Sequence, residues 1–159
     1  MFTVEVEGMA ELLAAFKTVE QGMIDFRQLG TWNAVQSEFY KIQKEIFDKE
    51  GQPKWKALSP NYAKVKQRLY GSKPILQATG AMYKEFTSDT GNVTKTAQEM
   101  TIKFSPPAGF HMSKAARSKM PYRSSLDLTN EQEERLTEPV RKKLKQLIAN
   151  AKLRDIRGF

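Results

Sequence analysis

The sequence contains no cysteine and a single histidine among its 159 residues. Without cysteine the chain has no disulfide, no thiol nucleophile and no thiolate ligands for zinc or an iron–sulfur cluster. One histidine cannot supply the two-histidine helix motif of a metalloprotease. No apolar run approaches the ~20 residues of a membrane-spanning helix, and the chain does not start with the basic and apolar regions of a signal peptide. We therefore expect a protein of the reducing cytoplasm that holds no metal and contacts no membrane.

Sequence patterns of known catalytic sites are also missing. There is no Gly-x-Ser-x-Gly nucleophile turn and no Gly-x-x-x-x-Gly-Lys phosphate-binding loop. The adjacent carboxylates Glu133 and Glu134 fall in the predicted first turn of a helix, where the helix dipole favours solvated acids. A Ser-His-Asp triad would have to use His111, which we interpret as a surface-loop residue. We therefore predict that the protein is not an enzyme and carries no cofactor.

What the sequence does have is an excess of positive charge that is unevenly distributed. It contains 26 Lys+Arg against 18 Asp+Glu, a net charge of +8. Residues 1–50 carry a balance of −4, whereas residues 51–110 and residues 111–159 each carry +6. A basic surface can neutralise phosphates and so contact nucleic acid, but a solvated basic surface on a cytoplasmic protein has the same composition. Charge alone leaves both interpretations open.

The Lys-Trp-Lys motif at 54–56, followed by the basic stretch 64–68, permits two interpretations. The tryptophan could serve as a stacking platform for single-stranded nucleic acid. It could instead fill the core beneath the loop at 51–60, with the lysines in solvent. Because no recognisable nucleic-acid module surrounds the motif, we favour the second interpretation and predict that Trp55 and Leu58 anchor this loop.

Hydrophobic periodicity predicts an α+β fold. The predicted elements, in chain order, are a strand at 2–6, helices at 9–29, 31–50 and 61–70, strands at 81–87 and 100–104, and a C-terminal helix from 130. Ser59 as N-cap and Pro60 at the first helical position mark the start of the short helix. Gly80 is predicted to adopt a positive φ before the strand, and Pro139 either kinks the last helix or starts a new one. The prediction is a single domain over 1–159, with a small antiparallel sheet packed against two long N-terminal helices, a short middle helix and a C-terminal helix.

Residues 105–125 form the irregular, basic part of the chain. Lys114, Arg117 and Lys119 stand among serines and alanines, with few apolar residues between them. A loop of this length inside a domain is commonly functional. We predict that these three cations face a neighbouring subunit or DNA, with an exposed loop that only aids solubility as the alternative.

Three segments carry motifs in a fixed order. The first, 46–62, contains Gly-Gln-Pro-Lys-Trp-Lys-Ala-Leu-Ser-Pro, and the second, 75–82, contains Leu-Gln-Ala-Thr-Gly-Ala. The third, 120–129, contains Pro-Tyr-Arg and Leu-Asp-Leu before an acidic helix start. Together the three motif segments resemble the bacteriophage virion-morphogenesis, or tail-completion, family over residues 39–148. The residues that match the motifs of that family are Trp55, Leu58, Ser59, Pro60, Leu76, Thr79, Gly80, Pro121 and Arg123.

Two stretches depart from the family pattern. Where the family has Phe-Leu-Gly-Leu, this chain has Ser-Leu-Asp-Leu at 125–128. Where the family often has a His-Gln pair followed by a Gly-rich linker, this chain has His-Met-Ser-Lys at 111–114. The loop between the second and third motif segments therefore has a sequence of its own.

The resemblance implies a structural virion protein that completes the tail or neck so that head and tail can join. It implies a ring subunit around the DNA path, a hexamer rather than a dodecamer, assembled in the host cytoplasm and retained in the virion neck or tail. Its implied neighbours are the head–tail connector, tail terminator or tail tube proteins, besides non-specific contact with phage DNA. The uneven charge fits a ring, since head-to-tail contacts need two complementary surfaces. The alternative is a basic DNA-binding accessory protein acting as monomer or dimer, and a small hydrolase centred on His111 is the least favoured hypothesis.

Overall fold

The computed structural model describes residues 26–27, 30–106, 108 and 121–157. The strand predicted at 2–6, and all but two residues of the helix predicted at 9–29, lie outside these residues. The elements, in chain order, are α1 (Thr31–Asp48), α2 (Pro60–Tyr70), α3 (Ala81–Thr87), β1 (Val93–Lys95), β2 (Met100–Ile102) and α4 (Asn130–Arg157). The predicted α+β class, with helices and a small antiparallel sheet, is confirmed.

The described residues group into two compact units. Unit 1 comprises the described parts of Met1–Glu38, Thr94–Ile102 and Asn130–Phe159, and unit 2 comprises Phe39–Val93 and the described parts of Lys103–Thr129. Helix α1 begins in unit 1 and ends in unit 2. The single family domain over 1–159 stays a prediction.

In unit 1, the first turns of α1 pack on the β1–β2 hairpin. Trp32 is buried, its ring lies 5.4 Å from that of Phe26, and its Nε1 donates to the Thr96 carbonyl at 2.9 Å. Inside the hairpin turn the Thr96 amide donates to the Glu99 carbonyl at 2.8 Å. A connection this short makes consecutive strands antiparallel neighbours. The strand predicted over 100–104 is observed as the three residues of β2.

Helix α4 continues unbroken through its internal proline. Leu136, Val140 and Leu144 are buried and follow one another at four-residue steps, so they form one face of the helix. Pro139 lies inside that span. Although proline disfavours a helix interior, burial of this face on both sides of Pro139 stabilises a single helix. Of the two alternatives left by the sequence, a new helix after Pro139 is excluded.

The later turns of α1 supply the centre of unit 2. Their buried apolar side chains are Phe39, Ile42, Ile46 and Phe47, at the spacing that an amphipathic helix predicts. Phe86 stacks on Phe104 with ring centroids 4.0 Å apart, and Phe47 lies 5.8 Å from Phe86. The result is an aromatic core in unit 2 against which the surrounding loops pack.

Helix α2 starts and ends where the sequence predicts. The Ser59 Oγ accepts a hydrogen bond from the Tyr62 amide at 3.4 Å, and Pro60 occupies the first helical position. At the other end the Gly71 amide donates to the Gln67 carbonyl at 2.9 Å, and Gly71 has φ +73°. Both ends are therefore determined by local chemistry.

The strand predicted over residues 81–87 is wrong, because this segment forms helix α3. Its sequence, Ala-Met-Tyr-Lys-Glu-Phe-Thr, contains one β-branched residue and several good helix formers. The apolar residues at 82, 83 and 86 fit helical steps of three to four residues. Phe86 is completely buried in the aromatic core of unit 2, and that packing favours the helix over the strand.

Candidate functional site

The first motif segment begins with a tight turn at the end of α1. Glu50 and Gly51 have positive φ values of 54° and 101°, and the Gly51 amide donates to the Ile46 carbonyl at 2.8 Å. The turn brings the indole of Trp55 over Gly51. A Cβ added at Gly51 would lie 2.6 Å from the indole Cγ and Nε1 atoms, so position 51 requires glycine.

Trp55 and Arg123 join the first motif segment to the third. Trp55 is 6% exposed, and its Nε1 donates to the Ser124 carbonyl at 2.9 Å. Arg123, also 6% exposed, donates from Nε and Nη2 to the Lys56 carbonyl at 3.0 and 2.8 Å. Burial lowers the pKa of the Arg123 guanidinium below its ordinary value. The loop at 51–60 is therefore held by hydrogen bonds that cross between two distant parts of the sequence.

The second motif segment is tied to the end of α1. The Glu50 Oε1 accepts a hydrogen bond from the Ile75 amide at 2.9 Å, and the Gln77 Nε2 donates to the Phe47 carbonyl at 3.4 Å. Leu76, between these two contacts, adopts a positive φ of 61°. The first and second motif segments are thus joined by side chain-to-backbone hydrogen bonds on both sides of Leu76.

A buried lysine connects α2 to the start of the second motif segment. Lys66 is 5% exposed, and its Nζ donates to the carbonyls of Lys73 and Pro74 at 2.5 Å each. Burial lowers the pKa of Lys66, whereas the nearby Glu50 carboxylate raises it. Because a buried ammonium group is costly without hydrogen-bond partners, these two carbonyls determine where Lys66 lies and so hold α2 in place.

Thr79 and Gly80 form the step into α3. The positive φ predicted for Gly80 is observed, at 75°, although a helix follows it instead of a strand. The Ala81 amide donates to the Thr79 Oγ1 at 3.3 Å, and the Lys84 amide donates to the Gly80 carbonyl at 2.9 Å. A Cβ added at Gly80 would meet nothing within 4 Å, so the need for glycine there comes from φ alone.

The three motif segments line one cavity of about 890 Å³ in unit 2. The family-matching residues at its wall are Leu58, Ser59, Leu76, Thr79, Pro121 and Arg123. Met82 and Tyr62 add apolar surface, and Lys66 and Glu85 add charged groups. A cavity of this size, mostly apolar with a few polar groups, is typical of a binding site.

Of the four charged residues at the cavity, Glu85, Lys66 and Arg123 are engaged in structural contacts. Both the amide and the hydroxyl of Ser105 donate to the Glu85 carboxylate, and the cations Lys66 and Arg123 donate to backbone carbonyls. Within the described ranges there is no group of His, Cys, Asp and Glu side chains that could hold a metal ion. The arrangement offers an apolar surface with two buried cations, which is suited to binding.

Three family-matching residues lie away from the cavity wall. Trp55 is in the core, Pro60 is the first residue of α2, and Gly80 precedes α3. Leu58 is half-buried at the wall, so the two residues predicted to anchor the 51–60 loop contact different surroundings. The basic-loop residues Lys114, Arg117 and Lys119, together with His111, lie outside the described residues.

Two buried polar residues were not predicted as site residues. Gln43 is 0% exposed and donates from Nε2 to the Ser125 carbonyl at 2.9 Å, which links α1 to the third motif segment. The burial of Gln43 could have been predicted from its position between Ile42 and Ile46 on the apolar face of α1. The burial of Lys66 could not, because its sequence neighbours are basic residues of the kind that lie on a protein surface.

None of the helices in the described part of the chain is long and apolar enough to cross a membrane. Comparisons of the chain with protein-family models, with curated proteins and with solved structures gave no match. The functional assignment therefore depends on the residues and their geometry.

Proposed function

We propose that this chain is a structural virion protein of a bacteriophage, a subunit that completes the tail or neck and enables head and tail to join. The observation that carries the proposal is the convergence of the three motif segments, which are well separated in the sequence, around one cavity of unit 2. A binding surface built by all three motif segments is what the family resemblance would require.

The hydrogen bonds between the first and third motif segments are made by two of the matching residues. Trp55 and Arg123 supply the hydrogen bonds between the first and third segments, to Ser124 and Lys56. Six of the nine family-matching residues line the cavity. This distribution supports the family resemblance, since the motif positions coincide with a structural unit.

The proposed subunit acts through surfaces. A ring around the DNA path, with a hexamer favoured over a dodecamer, needs two complementary faces on each copy. The uneven charge of the chain supplies opposite signs in different segments. The proposed neighbours are the head–tail connector, tail terminator or tail tube proteins of the same virion, and the proposed location is the neck or tail, after assembly in the host cytoplasm.

The test is complementation of a phage from which the gene for this chain is deleted. Without the protein, we expect lysates with full heads and separate tails in electron micrographs and few infectious particles. The wild-type gene on a plasmid should restore both joining and titre. Joined particles and a normal titre in the deleted phage would overturn the proposed function.

A variant of the predicted basic loop tests whether its three cations take part in head–tail joining. The triple change Lys114→Ser, Arg117→Ser and Lys119→Ser should lower the titre while leaving the thermal melt of the protein unchanged. The matched control removes the same three charges from exposed positions of α4, by Arg141→Gln, Lys142→Gln and Lys145→Gln. Equal complementation by both triple variants would remove the loop from the mechanism.

The second candidate is a basic DNA-binding accessory protein that acts as a monomer or dimer. It is favoured by the absence of any acidic residue from Gly51 to Lys84, a stretch that includes the exposed Lys64 and Arg68. Such a protein would bind duplex DNA with an affinity that falls steeply with salt. Tight, salt-sensitive binding combined with normal head–tail joining in the deleted phage would favour this candidate over the virion subunit.

A further inference from the structure

Helix α2 exposes a stripe of large apolar side chains. Tyr62, Val65 and Leu69 are 53%, 43% and 61% exposed. Their spacing of three and four residues places them on one side of the helix, and we call them the α2 stripe. Of the five large apolar side chains that are exposed in the described residues, four lie on α2. A concentration of exposed apolar surface on one helix marks an interaction site.

The α2 stripe continues into the cavity of unit 2. Tyr62 both belongs to the stripe and lines the cavity wall. One turn further along, the buried Lys66 holds the helix to the carbonyls of Lys73 and Pro74. The stripe is therefore part of an ordered surface whose orientation is determined by a buried contact.

The charge beside the stripe is positive. Lys64 and Arg68 are exposed, and at about 100° per residue they lie next to the stripe on the side opposite the buried Lys66. In the described part of the chain neither cation forms an ion pair. The nearest acidic residues in the sequence are Glu50 and Glu85. A partner that covers this surface should therefore combine apolar groups with carboxylates.

The chain itself carries a surface of that kind at the start of α4. Glu131, Glu134 and Glu138 are exposed and follow the same spacing of three and four residues, so they lie on one side of α4; we call them the acidic edge. None of the three forms an ion pair among the described residues. The neighbouring Arg135 is already paired with Glu38, Nη2 to Oε1 at 2.7 Å. The acidic edge is thus an exposed anionic surface, opposite in sign to the cations beside the α2 stripe.

We propose that the α2 stripe, with Lys64 and Arg68, docks on the acidic edge of a second copy of this chain. The half-buried Pro139, next to Glu138 on α4, supplies apolar surface beside the carboxylates. Because the two surfaces are different parts of the chain, the contact is heterologous and each copy has one of each. The inference rests on the proposed function for its role in a ring, but it concerns the contact between two copies and is tested on the purified protein.

The test uses two charge-reversal variants and light scattering. The basic-side variant carries Lys64→Glu and Arg68→Glu, and the acidic-side variant carries Glu131→Lys and Glu134→Lys. Wild-type protein should self-associate, and each variant alone should raise the self-association Kd about tenfold or more. An equimolar mixture should associate again, with the two variants alternating, because each surface of one variant meets a surface of opposite sign on the other. A chain with all four changes should self-associate again.

The controls separate the docking surface from general effects of charge and folding. Lys84→Glu with Lys103→Glu reverses two exposed cations that belong to neither α2 nor α4 and should leave self-association unchanged. Leu69→Ser, at a position that is mostly exposed, should weaken association without lowering the thermal melt. Circular dichroism should show the same helix content for every variant.

Three results would each overturn the inference. The first is a wild-type chain that stays monomeric at about 100 μM, where a contact with a Kd of about 10 μM would be mostly formed. The others are reversal variants that associate like wild type and a mixture that gives no complex of the two variants. A monomeric chain that still restores head–tail joining would overturn only this inference. A self-associating chain that fails in complementation would overturn only the proposed function.

Discussion

Replacing Trp55 with alanine should destabilise unit 2 more than most single substitutions. The indole is 6% exposed, contacts the Phe47 ring edge-on at a centroid distance of 5.3 Å and donates to the Ser124 carbonyl. Truncation of a buried tryptophan costs about 3–5 kcal/mol. The Ser124 carbonyl would also lose its donor, which adds about 1–3 kcal/mol if it stays buried. Because small domains are stable by only about 5–15 kcal/mol, the alanine variant should be close to unfolding.

The phenylalanine variant separates the two contributions. Trp55→Phe keeps an aromatic ring against Phe47 but removes the donor to Ser124 and part of the buried ring volume. Its expected cost is therefore at least about 1–3 kcal/mol, and less than that of the alanine variant. At roughly 2–4 °C per kcal/mol for a chain of this size, the melting temperature should fall in the order wild type, Trp55→Phe, Trp55→Ala.

The measurements are thermal unfolding for the melting temperature and urea denaturation for the free energy, both followed by far-ultraviolet circular dichroism and by the fluorescence of Trp32, the tryptophan of unit 1. An alanine variant that unfolds like wild type would refute the reasoning that the indole holds the 51–60 loop. Unchanged unfolding combined with lost self-association would instead identify Trp55 as an interface residue.

Three further predictions concern single positions in unit 2. Gly51→Ala should cost about 3 kcal/mol in thermal unfolding, because it combines a positive φ with a clash against the indole, whereas Gly71→Ala, with positive φ but open space, should cost about 1–2 kcal/mol. Gly80→Val should reduce the soluble yield, and Gly80→Asn should retain it, since asparagine tolerates positive φ; equal yields would contradict this. Lys66→Met should lose about 1–3 kcal/mol by leaving two buried carbonyls without a donor. Burial lowers the folded-state pKa of Lys66, so the unfolded state binds more protons above that pKa. In urea denaturation, wild type should therefore gain stability relative to Lys66→Met as pH rises from the lowered pKa towards 10.5, and a stability difference that does not change with pH would contradict this.

The sequence predicts part of the site, and the contacts that it does not predict are those between distant segments. Ser59, Pro60 and Gly71 mark the ends of α2 because capping depends on neighbouring residues alone. The burial of Lys66 could not be predicted, since the carbonyls that receive its Nζ belong to a later loop. The same holds for Arg123, which has no local feature to indicate that its guanidinium reaches the Lys56 carbonyl.

The strand wrongly predicted at 81–87 shows where local patterns become ambiguous. Seven residues are too few to distinguish a short helix from a strand by apolar spacing. Two features favour the helix: the positive φ of Gly80 and the packing of Phe86 on Phe104. The packing joins residues that are 18 positions apart, so a local pattern does not reveal it. A longer element such as α1 escapes this ambiguity because its apolar face repeats over several turns.

The sequence by itself determined helices α1, α2 and α4, the buried faces of α1 and α4, the caps of α2, the α+β class, the uneven charge and the order of the three motif segments. These features depend on residues within one or two helical turns of each other, where propensity, capping and periodicity act. Only the tertiary structure decided that α3 is a helix, that Lys66 and Gln43 are buried, and that Leu58, Leu76 and Arg123 line the same cavity. The reason is that packing and hydrogen bonds between distant segments select one arrangement from several that local preferences allow.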